Sequence, residues 1–213
     1  MKSFSQCHLY TFVDTAYLRG RRPEEVARQL CDGGSDIIQL RAKESSLDQI
    51  QQMAEAILPI TQAAGVPFVI NDHYRLALQL GAPVCHLGQE DFFDAGFKLV
   101  DQLAGCPRQI KVGLSTHAPD QAKRALAAGP DYLAIGPIFA TPTKPGRPPV
   151  TLDYVRWAAE NLQLPWFAIG GITLANLDDV LAAGARRICV VSAILNAPDI
   201  AAACRNFIQR LLA

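Results

Sequence analysis

Gln39, Arg41 and Lys43 follow one another at steps of two, and Lys144 ends a second stretch, Gly136 to Lys144, that also carries Thr141 and Thr143. Guanidinium, ammonium and hydroxyl groups gathered on short segments are what phosphate oxygens need: donors of fixed geometry and neutralising charge. Asn71-Asp72 and Asp91 add acids to this set. The two aspartates are nineteen residues apart, one strand-helix-strand unit, and so fall at the ends of neighbouring strands, which lie roughly 4.7–4.9 Å apart. Two carboxylates at that spacing suit a hard ion such as Mg²⁺. Ser115-Thr116-His117, Gly170-Gly171 and Val191-Ser192 supply further hydroxyls and a backbone cradle for an anion. Singly, each has an ordinary alternative. Pro, Thr and Lys also make surface turns, Asn71-Asp72 and Asp91 also cap helices, and His86 also reads as a strand-end structural histidine. His117 reads equally as facing the pocket or packing on a helix.

The elements that must position these residues recur regularly. Short, near-continuously apolar runs occupy 8–13, 37–41, 68–71, 84–87, 110–114, 132–135, 166–169 and 188–191, as parallel strands covered on both faces should. Helical patterns fill 23–31, 47–64, 74–80, 95–103, 119–128, 152–161, 174–182 and 200–212. Gly129 and Gly184 suit left-handed helix ends. Thr151 is placed to cap the sixth helix, and Asn176 or Thr173 the seventh. Strict alternation predicts a parallel α/β sheet with right-handed crossovers, and at this length a single (β/α)₈ TIM barrel over 1–213. A doubly wound open sheet is the second choice. In the barrel every C-terminal strand end opens on one face, where the polar residues named above would meet.

Composition narrows the partners. Among 213 residues half are hydrophobic, and 20 basic side chains balance 20 acidic ones. No overall field then favours nucleic acid or an anionic membrane. The start of the chain shows no secretory pattern, and no apolar run is long enough to span a bilayer. Cys7, Cys31, Cys85, Cys106, Cys189 and Cys204 form no Cys-x-x-Cys pair, which suits buried thiols in a reducing cytoplasm rather than a disulfide or zinc framework. Small-molecule substrates are expected. Homo-oligomerisation is left open.

Seven stretches in order resemble the thiamine-phosphate synthase family from about residue 9 to 194: Gln39 to Lys43, Ile70 to Asp72, His86 to Asp91, Gly113 to His117, Gly136 to Lys144, Ala168 to Ile172 and Val190 to Ile194. The resemblance implies a transferase of thiamine biosynthesis that joins a pyrimidine methyl diphosphate to a thiazole phosphate and releases pyrophosphate. It implies that Gln39, Arg41, Lys43, Asn71 and Lys144 hold the pyrimidine diphosphate, and that Asp72 and Asp91 bind Mg²⁺. Ser115 would donate to the departing pyrophosphate, with Arg41 and Lys144 beside it. Thr141, Thr143, Gly171, Val191 and Ser192 would hold the thiazole phosphate. It also implies that the carbon–oxygen bond breaks before the thiazole nitrogen attacks, in keeping with the lack of an obvious nucleophile–base pair. The chain departs from the family at Ala42, usually an acid, at His73, often arginine, in a compact 145–150 segment, and at Thr151, usually glycine. A related thiazole tautomerase and a non-catalytic thiazole-phosphate sensor are the alternatives, and Lys43, Asp72, Asp91 and the Thr-x-Thr-Lys loop argue against both.

Overall fold

The computed structural model describes residues 2–104, 108–141, 143, 146 and 148–213. Eight parallel strands close into a barrel in chain order: β1 (Leu9–Asp14), β2 (Ile37–Arg41), β3 (Phe68–Asn71), β4 (Val84–Gly88), β5 (Lys111–Thr116), β6 (Tyr132–Ile135), β7 (Trp166–Ile169) and β8 (Ile188–Cys189). Closure is direct, Leu9 of β1 standing beside Ile188 of β8. The helices are α1 (Pro23–Asp32), α2 (Leu47–Ala63), α3 (Tyr74–Leu80), α4 (Gln89–Asp94), α5 (Asp101–Ala104), α6 (Pro119–Ala127), α7 (Thr151–Asn161), α8 (Leu177–Ala182), α9 (Ser192–Leu195) and α10 (Ile200–Leu211). The TIM barrel expected from the alternation is the fold found.

The period of two along each strand divides the apolar residues into two cores. Outward-facing Leu9, Ile38, Leu40, Ile70, Leu114 and Leu133 join the apolar stripes of the helices. Inward-facing Tyr10, Phe12, Ile37, Val69, Val84, Tyr132, Phe167 and Cys189 fill the barrel with Phe4, from the turn before β1, beneath them. The ring of Phe4 lies 4.7 Å from that of Tyr132, and Phe167 stands 5.5 Å from both Tyr10 and Tyr132. Emptying such a position costs about 3–5 kcal/mol. This aromatic floor closes the barrel below the polar face.

Local signals set most boundaries. Pro23 opens α1 with Glu24 and Glu25 in its first turn, where both oppose the helix dipole. Ser46 and Gln49 form a reciprocal capping box on α2. Four expectations are corrected. Thr151 is the first residue of α7 and not its cap, because the helix starts one residue earlier than expected. The helix expected at 95–103 is displaced: α4 ends at Asp94, Gly96 turns left-handed at φ +85°, and only the short α5 follows. The last strand is shorter than 188–191, because Val191 leaves extended geometry at ψ −86° to start α9. Asn176 stands before α8, but its side chain accepts from Thr173 N–H and donates to the Gly171 carbonyl instead of capping. No described helix is long and apolar enough to cross a membrane.

Candidate active site

At the C-terminal ends of the strands the inward-facing column rises out of the aromatic floor into a cleft of about 980 Å³, mouth included. Gln39, Arg41, Lys43, Asn71, Asp72, Asp91, Ser115, Thr141, Thr143, Gly171, Val191 and Ser192 all line it. The steps of two therefore hold past the end of β2, for Lys43 still faces the cleft after the strand has stopped at Arg41. Lys144 lies outside the described residues, as do Pro145 and Arg147 of the compact segment.

One arc of the rim is built from side chains. Arg41 Nη1 donates to Asp14 Oδ2 at 2.9 Å, and the pair is largely buried, with 16% of the Arg41 and 2% of the Asp14 side chain exposed. Arg41 Nη2 reaches the Thr143 carbonyl, and Tyr17 Oη meets Thr143 Oγ1 at 3.0 Å, so the loop after β6 is tied across the rim to the loop after β1. Asp72 has left-handed backbone at φ +65°, which aspartate tolerates better than most residues. Its carboxylate receives Lys43 Nζ and Asn71 Nδ2. Asp91 sits in the first turn of α4, its carboxylate folded over Gly88, where a Cβ would stand 2.6 Å from Oδ2. Ser115 Oγ lies 2.8 Å from His86 Nε2. His117 binds the Gly136 carbonyl through Nδ1 and has Glu90 at 3.9 Å from Nε2. It faces the cleft while the backbone holds it.

The other arc is built from backbone. The segment after β6 continues the sheet: Ile138 N–H donates to the Ile169 carbonyl and Phe139 N–H to that of Gly170. A Cβ on Gly136 would overlap the Ile169 carbonyl, and one on Gly170 would overlap Pro137. Only glycine lets the two chains pass this closely. Next to them α9 begins at Ser192, its first N–H groups directed away from any acceptor within the helix. Arg21 Nη2 donates to the carbonyls of Tyr17 and Leu195, 2.7 Å from each, and anchors the far end of α9 to the loop after β1.

Comparison with known proteins gives the family and supports the fold. The family model described as thiamine monophosphate synthase matches residues 9–194. The thiamine-phosphate synthase of Thermus thermophilus is 52% identical over 180 residues, 84% of each chain. That of Acidothermus cellulolyticus is 38% identical over 213 residues, 99% of this chain and 98% of its own. The chain belongs to the thiamine monophosphate synthase family. A solved thiamine phosphate pyrophosphorylase from Pyrococcus furiosus superposes over the whole of both chains with a TM-score of 0.84 at 25% identity. A 3-hexulose-6-phosphate synthase shares the fold, with a TM-score of 0.68 at 19% identity over 97% of this chain and all of its own.

The residues that orient the cleft side chains were not singled out in the sequence. Asp14 ends β1 two steps after Phe12 and four after Tyr10, so the period of two already put it on the inward face, where it meets Arg41. Tyr10 and Tyr132 were visible only as strand apolars, although a phenol in a barrel interior needs a hydrogen-bond partner. His86, read as structural, lines the cleft and bonds Ser115. The contact does not by itself make a nucleophile–base pair, because the imidazole nitrogen can equally donate to the serine oxygen.

Proposed function

We propose that the cleft condenses 4-amino-2-methyl-5-(diphosphooxymethyl)pyrimidine with 4-methyl-5-(2-phosphooxyethyl)thiazole, giving thiamine phosphate and pyrophosphate. The observation that supports this best is the pairing of two unlike anion sites in one cleft, a cationic side-chain arc and a backbone arc. The side-chain arc takes the diphosphate through Arg41 and Lys43, with Asn71 beside them; the family resemblance adds Lys144. Asp14 holds the Arg41 fork in place. Gln39 reads the pyrimidine ring. The backbone arc at Gly171, Val191 and Ser192, with Thr141 and Thr143, takes the single phosphate of the thiazole.

Bond breaking comes first. The methylene carbon–oxygen bond cleaves with its electron pair leaving on the diphosphate oxygen, and the aminopyrimidine ring delocalises the resulting cation. The thiazole nitrogen, held by the opposite arc, then supplies the pair for the new carbon–nitrogen bond. Ser115 donates its hydroxyl proton as a hydrogen bond to the departing oxygen, the kind of fixed donor that stabilises developing charge. Asp72 and Asp91 bring only oxygen donors to the same cleft, a set that fits a hard ion, and they would hold Mg²⁺ there. Bound there, Mg²⁺ would add positive charge where the pyrophosphate departs. Lys43, now on Asp72, would then turn to the diphosphate. We assign the reaction to the cytoplasm, where free thiols such as Cys7, Cys85, Cys189 and Cys204 stay reduced.

The test is direct. Purified protein with both substrates and Mg²⁺ should form thiamine phosphate and pyrophosphate in equal amounts. Isomerisation of a thiazole precursor without condensation would point to the tautomerase instead. Incubation with the pyrimidine diphosphate alone should leave Ser115 and His117 unmodified by mass spectrometry, whereas a stoichiometric pyrimidine adduct would replace the dissociative route with a covalent one.

A further inference from the structure

Below the cleft five polar side chains form a continuous chain across the barrel interior. Gln39 Nε2 donates to Tyr10 Oη at 2.6 Å, Tyr10 Oη meets Tyr132 Oη at 3.0 Å, Tyr132 Oη meets His86 Nδ1 at 3.1 Å, and His86 Nε2 meets Ser115 Oγ at 2.8 Å. All five are buried. The chain starts on β2 and ends on β5, so it joins two residues that face the same ligand from different strands.

Its direction follows from what each group can do. An amide NH₂ only donates, so Tyr10 Oη accepts from Gln39 and passes its own proton to Tyr132. Tyr132 Oη, having accepted, donates to His86 Nδ1. A neutral imidazole with its lone pair at Nδ1 carries its proton at Nε2, which donates to Ser115 Oγ. The Ser115 proton is then left to point into the cleft. Were the Gln39 carbonyl turned to Tyr10, every bond would reverse, and Ser115 would offer only lone pairs to its ligand. Phosphate oxygens are acceptors, so an anionic ligand at Ser115 and the Gln39 amide at the other end select the same direction.

The surroundings are shaped for this path. The Tyr132 ring tip occupies the space beside Gly113, where a Cβ would overlap it. Phe167 lies edge-on to both tyrosine rings and Phe12 stacks 5.2 Å from Tyr10, so neither phenol can swing away. Burial holds both phenols well above their ordinary pKa, and they stay protonated.

We infer that Tyr10, Tyr132 and His86 form a one-way hydrogen-bond relay that fixes His86 as its Nε2–H tautomer and turns the Ser115 hydroxyl proton into the cleft. The two tyrosines are then positioning residues for the transfer, though neither is a charged ligand. The effect on turnover rests on the proposed reaction, whereas the tautomer rests on the relay alone.

¹⁵N-histidine NMR of the whole protein at neutral pH tests it, with the His86 signal assigned by its loss in His86→Gln. The wild type should show the proton on Nε2 and a bare Nδ1. Tyr10→Phe removes a hydroxyl that is two links away from His86. It should shift the His86 signals toward an average of both tautomers and lower kcat about ten-fold, a partial loss of one fixed donor, with the KM for thiazole phosphate within about two-fold. Tyr132→Phe should do the same more strongly. A wild-type proton on Nδ1 overturns the relay's direction, and a Tyr10→Phe variant with unchanged tautomer or unchanged kcat overturns its positioning role. Should the protein form no thiamine phosphate, the tautomer measurement still decides the relay, so the two readings fail separately.

Discussion

The two arcs of the cleft solve one problem, holding a phosphate, by opposite means. The β2–β5 arc projects charged and hydroxyl side chains from strand ends, and each can be altered with the backbone left in place. The β6–β8 arc presents the main chain, and its requirements are Gly136, Gly170 and Gly171, whose neighbours occupy the space that a side chain would take. Function and fold are therefore separable on one arc and fused on the other. Substitutions on the first should change turnover at constant stability. Substitutions on the second should change both.

The largest effect should come from the side-chain arc. Asp72→Asn and Asp91→Asn each keep the size of the side chain, and asparagine tolerates the left-handed backbone at Asp72. Each should reduce turnover by about 10²–10³, or roughly 3–4 kcal/mol of transition-state stabilisation, the range found when one fixed charge or donor is lost at such a site. Urea unfolding should show stability within about 0.5 kcal/mol of wild type. Full turnover of both variants in EDTA would end the metal assignment.

On the backbone arc, Gly170→Ala should lower stability itself. Gly170 has φ +106° and its Cβ would overlap Pro137, so a left-handed penalty of roughly 1–2 kcal/mol adds to overpacking of about 1–3 kcal/mol. Calorimetric titration should also show weakened thiazole phosphate binding. A variant of wild-type stability with only its affinity changed would show the two arcs to be alike.

That contrast explains what could be read from the sequence. Arg41, Lys43, Asp72, Asp91 and Ser115 were legible because their chemistry resides in residue type, and apolar strand runs fixed the period that aims them. The backbone arc could be read only as glycines plus a serine, because N–H groups occur at nearly every residue and only the course of the chain makes a cradle of them. Gly96 already interrupted the fourth helical pattern, but the turns on either side of it, α4 and α5, are too short to show a period in the sequence. Asp14 lay unnoticed at the end of an apolar strand because its partner, Arg41, is 27 residues away in the chain.

Asp14 also tests whether the side-chain arc is wholly separable from the fold. Its carboxylate accepts from Ala16 N–H at 3.0 Å as well as from Arg41. Asp14→Asn keeps the shape but leaves the Arg41 guanidinium with a neutral partner in a buried place, a loss of about 2 kcal/mol for a charge-assisted bond. The KM for the pyrimidine diphosphate should rise several-fold while that for the thiazole phosphate stays constant. Equal rises for both substrates would mean that Asp14 supports the whole rim.

The smallest effect concerns Thr151, at the start of α7, whose N–H donates to the Ile138 carbonyl. Thr151 is exposed, begins α7, and has φ +63°, a left-handed backbone that β-branched residues rarely adopt. Its Oγ1 accepts from Asp153 N–H at 3.3 Å, a bond inside the first turn, since the helix begins at Thr151 itself and is not capped by it. Two opposed terms act at one residue. The left-handed conformation costs roughly 1–2 kcal/mol, and the exposed hydroxyl–amide bond returns about 0.5 kcal/mol. Thr151→Gly removes both terms, and the greater freedom of glycine in the unfolded chain offsets about 0.5–1 kcal/mol of the gain. Thr151→Ala keeps the strained backbone and loses the bond. The order of stability should therefore be Gly, then Thr, then Ala, with Gly above Ala by about 1 kcal/mol. Urea midpoints at constant m value would resolve the difference. Alanine as stable as glycine would show that the left-handed turn at Thr151 carries no strain.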